Sequence, residues 1–342
     1  MNAPRTRVQR RPVHGVLLLD KPLGLSSNDA LQKAKWLLRA EKAGHTGTLD
    51  PMATGVLPLC FGAATKFSQL HLDADKSYEA TARLGVRTST ADAEGEVIQE
   101  RPVPAFDAET LANVQARFTG AISQLPPMHS ALKKDGKALY EYARAGQEVE
   151  RATRNVTVHA LRLDLIASDL LEIVATVSKG TYIRTLGEDI GEALGCGAHL
   201  ASLRRTATGP FDLSRCVTLQ ALEAMEPAER EACLLPVESL LADHTRVMLG
   251  AEDAARFLSG LRRRGTWADH PHITVFGPEP VRPEPVEGHA QASTGSARTV
   301  SGAGTILLGT AHAKAGELIP GRLLSPIDIQ QIMASRQQAA IV

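Results

Sequence analysis

The spacing of apolar residues near the N-terminus predicts a strand, a helix and a second strand. Residues 16–19 are all apolar, which is typical of a short buried strand. Ser26 or Ser27 can then cap a helix. The apolar face of this helix repeats at helical spacing in Ala30, Ala34, Leu37 and Leu38. Residues 56–61 are again typical of a strand, in which Pro58 favours an edge or a bulge.

Further along the chain the pattern predicts strands and helices in mixed order. Strands are expected at residues 78–84, 156–166, 170–177 and 199–208. Helices are expected at residues 108–118 and 181–194. Because these elements do not follow a regular strand–helix–strand order, the pattern predicts an α+β fold. We expect a mainly antiparallel, mixed sheet flanked by helices.

Changes in composition suggest how the chain is divided. We predict domains 1–243 and 244–342, of which the second is small and β-rich. Within the first domain, segment 124–154 is rich in Lys and Arg, and we expect a basic excursion with a short helix near residues 138–145. Residues 277–304 carry four prolines followed by small and polar residues, which predicts a disordered insertion.

Composition narrows the class of protein without indicating a partner. With 342 residues, 43% hydrophobic and 22% charged, the chain is typical of a soluble globular protein of about two domains. No stretch approaches the roughly 20 apolar residues that cross a bilayer, so we expect no membrane contact and a cytoplasmic location. The four cysteines form no Cys-x-x-Cys pair, which argues against a zinc site and a disulfide framework.

Charge is balanced overall but uneven along the chain. The 38 basic and 38 acidic residues cancel, so net charge does not indicate a nucleic-acid partner. The first 40 residues nevertheless hold eight Lys or Arg against two Asp. Such a basic sector can form a phosphate-binding face or a merely solvated surface, and the charges alone do not favour the first.

Asp50 is the candidate catalytic residue, and it lies in a segment, 44–55, that is rich in Gly, Thr and Pro. We expect this segment to be a loop between a helix and a strand, where catalytic groups are often presented on a rigid frame. Taken alone, an aspartate before Pro51 is more often a turn former, and His45 is more often a surface residue. The loop lacks Gly-Lys-Ser/Thr and is therefore not a phosphate-binding P-loop.

Four sequence motifs change this picture when they are taken together. They are GVLLLDKP at 15–22, GHTGTLDPMATG at 44–55, KSYE at 76–79 and SKGTYIRT at 178–185. In this order and at these separations they resemble the bacterial tRNA pseudouridine-55 synthase family, known as TruB. The resemblance runs from about residue 15 to about residue 218 and continues more weakly into the C-terminal domain.

The resemblance implies an enzyme that isomerises uridine to pseudouridine at position 55, in the T loop of tRNA. It also implies a pseudouridine synthase fold followed by a PUA-like RNA-binding domain. Asp50 matches the family's catalytic nucleophile, and Arg184 matches the arginine that pairs with it and would hold it ionised. Tyr78 matches the tyrosine that stacks on the target base. Tyr182 and Leu203 match residues that line the pocket of that base.

Other matches concern the RNA. His45 matches the histidine that helps to turn the base out of the T loop. Segment 124–154 corresponds to the family's thumb-like loop, which clamps the T arm of tRNA, and its presence disfavours a relative that needs a guide RNA. Within this segment His129 stands where the family usually has tyrosine, which leaves a stacking or hydrogen-bonding role at this position open.

The implied chemistry sets few further requirements. Pseudouridine formation breaks the N-glycosidic bond, rotates the uracil and rejoins it through C5, which is redox-neutral and needs no group donor. We therefore expect no cofactor and no metal. Nothing in the sequence demands more than a monomer, and we expect no obligate protein partner. An aspartate can attack either the base or the sugar, and both remain open. The alternative is a tRNA-binding or folding factor with secondary or lost catalysis, which the intact set of Asp50, Arg184 and two tyrosines disfavours.

Overall fold

A computed structural model describes residues 9–279 and 304–339, in which helices pack on one large sheet and a second sheet follows. None of the helices in these ranges is both long and apolar enough to span a membrane. The α-helices are α1 (Ser27–Leu37), α2 (Ser68–His71), α3 (Ala108–Phe118), α4 (Leu139–Arg144), α5 (Ile183–Ala193), α6 (Leu219–Ala224), α7 (Pro227–Ala232), α8 (Ala251–Leu258) and α9 (Pro326–Ala339).

The strands fall into two groups along the chain. Those of the first group are β1 (Gly15–Lys21), β2 (Ala43–His45), β3 (Ala53–Phe61), β4 (Lys76–Leu84), β5 (Val86–Thr88), β6 (Val97–Glu100), β7 (Gly120–Gln124), β8 (Lys133–Lys134), β9 (Lys137–Ala138), β10 (Arg154–Ala167), β11 (Leu170–Val177), β12 (Ala198–Thr208), β13 (Phe211–Asp212), β14 (Val217–Thr218) and β15 (Leu234–Leu235). Those of the second group are β16 (Thr245–Met248), β17 (Arg263–Arg264), β18 (His270–Pro278), β19 (Thr305–Lys314) and β20 (Glu317–Leu323).

The larger sheet forms the frame of the molecule. Its strand order is β14-β1-β3-β12-β4-β11-β10-β7, and β15, β2 and β13 pair additionally with β1, β3 and β12. The pairs β1–β14 and β3–β12 are parallel, whereas the other pairs of this sheet in the described ranges are antiparallel. The predicted α+β class with a mainly antiparallel, mixed sheet is therefore confirmed.

Strand β1 is buried on both faces, which explains its uninterrupted apolar run. Successive side chains of a strand point to opposite sides of the sheet. Leu17 and Leu19 therefore face the core that also contains residues of α1, α3 and α5. Val16 and Leu18 face a second core, which they share with C-terminal residues such as Phe276. Each of these buried leucines contributes about 1.5–3 kcal/mol to stability.

The smaller sheet has the strand order β16-β18-β19-β20-β17 and forms a β-rich C-terminal module, as predicted. Polar contacts add to the shared core at its junction with the rest of the chain. Lys66 Nζ lies 2.7 Å from Asp328 Oδ2, and His14 Nε2 lies 3.1 Å from Gln331 Oε1. The domain boundary after residue 243 remains a prediction; the first strand of the module begins at Thr245.

The predicted disordered insertion at 277–304 is too wide at both ends. Gly277 and Pro278 belong to β18, where they pair with the first residues of β19. The Glu279 amide donates to the Gly304 carbonyl at 2.8 Å, so the hydrogen bonding between β18 and β19 continues one step beyond the strands. The remainder of the predicted insertion, 280–303, lies outside the described residues.

Two predictions about the segment after α1 are wrong in detail. Part of it forms β2, which pairs with β3, so Asp50 lies in a turn between two strands rather than between a helix and a strand. Pro58 lies in an interior strand, not at an edge, and its carbonyl accepts a hydrogen bond from the Thr46 amide at 3.1 Å. Its missing N–H faces the same side, where the neighbour of β3 changes from β12 to β2.

Gly55 brings β3 close to β12, and we expect that this position tolerates no side chain. Its φ is +101°, and an added Cβ would lie 2.1 Å from the Arg205 carbonyl oxygen. Gly55→Ala should lower the free energy of unfolding by about 2–4 kcal/mol, because backbone strain and a clash combine. Gly44→Ala, on β2 with no atom within 4 Å of the new Cβ, is the control. Equal losses of stability in denaturant titrations of both variants would contradict this account.

Candidate active site

The turn between β2 and β3 carries Asp50, and hydrogen bonds from the first residue of α1 hold it in place. The Ser27 hydroxyl donates to the Leu49 carbonyl at 2.9 Å and accepts from the Leu49 amide at 2.7 Å. On the other side of Asp50, the Pro51 carbonyl accepts from the Gly24 amide at 2.8 Å. Because both neighbours of Asp50 are held, its side chain, 38% exposed, is presented to a cleft from a fixed backbone.

Arg184 faces Asp50 from the first turn of α5. Its side chain is 5% exposed; Nη2 lies 3.0 Å from Asp50 Oδ2, and Nη1 lies 3.3 Å from Asp92 Oδ2. Nη1 also donates to the Thr90 carbonyl at 3.0 Å, and Nη2 to the His129 carbonyl at 2.6 Å. A buried cation at a helix N-terminus is disfavoured by the helix dipole. The two carboxylates and two carbonyls offset this and fix the guanidinium.

Asp92 is a part of this site that the sequence analysis missed. Its side chain is 3% exposed and lies in the connection between β5 and β6. The second carboxylate oxygen accepts from the Thr90 hydroxyl at 2.5 Å and from the Glu94 amide at 3.1 Å. No motif marks this residue, because its partner Arg184 is distant in sequence. Arg184 thus joins a buried carboxylate to the one that faces the cleft.

The surroundings of Asp50 act on its pKa in opposite directions. Burial raises the pKa above its ordinary value, the Arg184 guanidinium lowers it, and the Asp92 carboxylate raises it again. Lys21 lowers it further, while burial lowers the pKa of Lys21 itself to about 8. The net shift for Asp50 is upward. Arg184 thus favours the ionised form of Asp50, in the direction that the resemblance implied, but burial outweighs it in the net shift; the role of Arg184 stays a prediction.

Tyr78, Tyr182 and Leu203 line the same cleft as Asp50, and its volume is about 920 Å³. Tyr78 on β4 and Leu203 on β12 are 8% and 7% exposed, so that both form part of the wall as well as of the core. Tyr182 precedes α5, two residues before Arg184. The cleft therefore combines aromatic and apolar walls with a carboxylate–guanidinium centre.

His45 completes the set of predicted site residues in this cleft. It lies on β2, burial lowers its pKa, and its Nδ1 is buried without a hydrogen-bond partner in the described part of the chain. His129, which also lines the cleft, contributes its backbone carbonyl to Arg184. The structure thus brings all the predicted residues together, while the roles assigned to them remain predictions.

The thumb-like segment, 124–154, connects β7 to β10 and borders the cleft. It contains the β8–β9 hairpin and α4, which agrees with the short helix predicted there. Gln124, at the start of this segment, is 2% exposed and binds the backbone of Tyr182. The Gln124 Oε1 atom accepts from the Tyr182 amide at 3.0 Å, and Nε2 donates to the Tyr182 carbonyl at 3.3 Å. This segment is therefore anchored to the same turn of chain that carries Arg184.

Lys21 is a second residue near the site that the sequence analysis did not single out, although it belongs to the first motif. It is 0% exposed, and its Nζ donates to the carbonyls of Pro22 at 2.9 Å, Leu25 at 2.6 Å and Pro51 at 3.4 Å. The ammonium therefore links the end of β1 to the Asp50 turn and adds positive charge beneath it.

The fold and the cleft are those of a class of α+β enzyme whose candidate catalytic group is a carboxylate. The candidate nucleophile is Asp50, which a buried guanidinium holds in place. Comparison with protein-family models specifies that class. Residues 35–183 match the TruB family pseudouridylate synthase N-terminal domain, and residues 184–242 match the tRNA pseudouridylate synthase B C-terminal domain. These two matches together span more than half of the chain.

Individual relatives agree with the family models. The chain is 61% identical to the tRNA pseudouridine synthase B of Verminephrobacter eiseniae, over 98% of this chain and 96% of that protein. It is 58% identical to the protein of the same name from Ralstonia nicotianae, over 92% of this chain and 95% of the relative. The chain therefore belongs to the TruB family of pseudouridylate synthases, as its motifs predicted, and the predicted enzyme class is confirmed.

A solved structure shares the fold at greater distance. It is described as an H/ACA RNP bound to a substrate RNA containing 2'-deoxyuridine. The TM-score is 0.63, over 96% of this chain and 89% of that one, with 21% sequence identity. At this identity the likeness indicates the fold alone.

Proposed function

We propose that this chain isomerises the uridine at position 55, in the T loop of tRNA, to pseudouridine, with Asp50 as the nucleophile. The observation that carries the proposal is the Asp50–Arg184 pair, 3.0 Å apart, in a cleft of about 920 Å³ with aromatic and apolar walls. The name tRNA pseudouridine synthase B, which both relatives carry, supports tRNA as the substrate.

The proposed reaction uses one carboxylate twice. Asp50 adds to the base or to C1' of the ribose, and the bond between N1 and C1' breaks. The uracil then turns within the cleft, C5 bonds to C1', and Asp50 leaves as the carboxylate. The C5 proton departs and N1 gains a proton, so atoms and charge balance. Arg184 stabilises the carboxylate both before its attack and after its release, which a buried, pre-positioned guanidinium does effectively.

The walls of the cleft suit a flipped uracil. We assign stacking on the base to Tyr78, which contributes about 1–3 kcal/mol when an aromatic ring stacks on a nucleobase. Tyr182 and Leu203 enclose the base while it turns. His45, which lines the same cleft, occupies the place that the base leaves in the T loop. These contacts offset the few kcal/mol needed to unstack the target.

The surfaces around the cleft supply the proposed grip on tRNA. The thumb-like segment, 124–154, clamps the T arm, since it is basic and is anchored beside the cleft. In the proposed division, 1–243 is the catalytic domain and 244–342 is a PUA-like RNA-binding domain. The protein acts as a monomer in the cytoplasm, without a guide RNA or a protein partner.

An assay that follows the C5 proton tests this proposal. Purified protein alone is incubated with an unmodified tRNA transcript that carries tritium at C5 of its uridines. We expect release equivalent to one uridine per tRNA, and no release from a transcript with cytidine at position 55. Release that requires an added guide RNA, or equal release from both transcripts, would overturn the proposal.

The rate should depend on pH through Asp50. Because the pKa of Asp50 is raised, the carboxylate is lost by protonation at a higher pH than usual, and the rate falls as pH decreases through that value. Single-turnover rates measured between about pH 4.5 and about pH 8 should decrease toward the acid end. The midpoint of this decrease should lie above the ordinary pKa of aspartate, which is about 3.9. A rate that stays constant down to the lower end would contradict the upward shift.

A further inference from the structure

Arg205 is a buried cation beside the cleft, and the proposed mechanism does not use it. It is the largest fully buried side chain in the described ranges, at 1% exposure. Its Nε donates to the Val56 carbonyl at 2.7 Å. Its Nη2 has no hydrogen-bond partner, and the guanidinium forms no ion pair with any carboxylate, among residues 9–279 and 304–339. A buried guanidinium with a spare donor is suited to an anion.

The local backbone directs this guanidinium toward the cleft. The pairing of β12 with β4 shifts register between Arg205 and Ala207, and such a bulge re-aims a side chain. Gly47, in the Asp50 turn, faces the guanidinium: a Cβ added there would lie 3.8 Å from Arg205 Nη1. Because Gly47 has no side chain, it places no further atoms between Nη1 and the cleft, which both residues line.

Lys76 brings a second positive charge to the same part of the cleft. Its Nζ donates to the carbonyls of Leu72, at 2.9 Å, and Ala74, which leaves one of its three protons for another acceptor. Burial and, after it, the charge of Arg205 lower the pKa of Lys76 to about 8. The two cations therefore repel each other, and an anion held by both would relieve that repulsion.

We propose that Arg205 and Lys76 form a subsite for one phosphodiester of the RNA strand that carries the target uridine. This inference rests on the proposed function. The planar fork of an arginine matches two phosphate oxygens, and the lysine supplies a point charge beside them. A phosphate fixed at this point sets the register of the strand, so that one nucleotide and not its neighbour reaches Asp50. Arg205 is thus a positioning residue for the target strand.

Neutral backbone linkages test the subsite. A set of T stem-loop RNAs carries one methylphosphonate each, in place of successive phosphodiesters around the target. Affinity and single-turnover rate are measured for wild type, Arg205→Gln and Lys76→Gln. We expect wild type to lose about 10-fold in affinity at one linkage, as for removal of one charge-assisted contact. Both variants should bind the unmodified RNA more weakly and should be insensitive to the neutral linkage at that same position.

Arg204→Gln is the matched control. Arg204 precedes Arg205 on β12, but its guanidinium is compensated by Asp20, at 3.1 and 2.8 Å. This variant should keep the sensitivity of wild type at the critical linkage. A merely structural role for Arg205 would weaken binding to all RNAs and leave the sensitivity unchanged, which would overturn the inference. Failure of wild type to isomerise the unmodified stem-loop would instead refute the proposed function.

Discussion

Asp50→Asn should abolish pseudouridine formation while the protein stays folded and still binds tRNA. We expect the single-turnover rate to fall by about 10⁴-fold or more, because an amide of the same shape cannot replace the carboxylate as a nucleophile. The side chain is 38% exposed and its backbone is held through neighbouring residues, so the free energy of unfolding should change little. Rapid-quench kinetics with tRNA transcript in the presence of excess enzyme gives the rate, and denaturant titration gives the stability.

The same substitution at Asp20 provides the control. Asp20 is a carboxylate on β1 that pairs with Arg204 at 2.8 Å, outside the Asp50–Arg184 pair. Asp20→Asn should leave the rate within a few-fold of wild type. If Asp50→Asn retains full activity, Asp50 is not the nucleophile, and the proposal must move to another residue of the cleft.

Arg184→Met should have the second largest effect and should act on both rate and stability. The substitution leaves the buried Asp92 carboxylate without its cation, which costs about 3–5 kcal/mol in unfolding free energy. The rate should fall by about 10²–10³-fold, because the charge that stabilises the reacting carboxylate is removed. Affinity for tRNA should fall only modestly. The acid limb of the rate should move to higher pH, since Arg184 lowers the pKa of Asp50.

Two further variants separate these effects. Arg184→Met combined with Asp92→Asn should recover much of the stability, because no buried charge is then unpaired, but it should not recover the rate. Arg87→Met removes a guanidinium that is 30% exposed and pairs with Glu188 of α5 at 2.7 Å. It should cost no more than about 1 kcal/mol and leave the rate unchanged. Loss of tRNA affinity with unchanged turnover in Arg184→Met would contradict the role proposed for Arg184.

The apolar pattern was sufficient to predict most of the frame. The alternation in β4 and the helical spacing in α5 depend on burial of one face, which local sequence expresses directly. The continuous run in β1 indicated a strand, but it could not indicate that the strand separates two cores. The second face is covered by residues such as Phe276, far along the chain.

The site was predictable only in part, because its residues are joined by contacts between distant segments. Asp50 and Arg184 were found through motifs. From its local sequence alone, Asp50 would have been taken for a turn former and Arg184 for a member of an ordinary surface ion pair. Asp92 carries no motif, and its importance depends on its contact with a helix that follows much later. Arg205 resembles any other strand arginine in the sequence. Only its burial and its unpartnered Nη2 distinguish it.

The central claim is that this cleft converts one T-loop uridine, and its most direct test is a map of pseudouridine along a whole tRNA. An unmodified transcript is incubated with purified wild-type protein and, in parallel, with Asp50→Asn, and every uridine is then examined for conversion. We expect pseudouridine at position 55 alone with wild type, and at no position with Asp50→Asn. Conversion at a different uridine, or equal conversion by both proteins, would contradict the account.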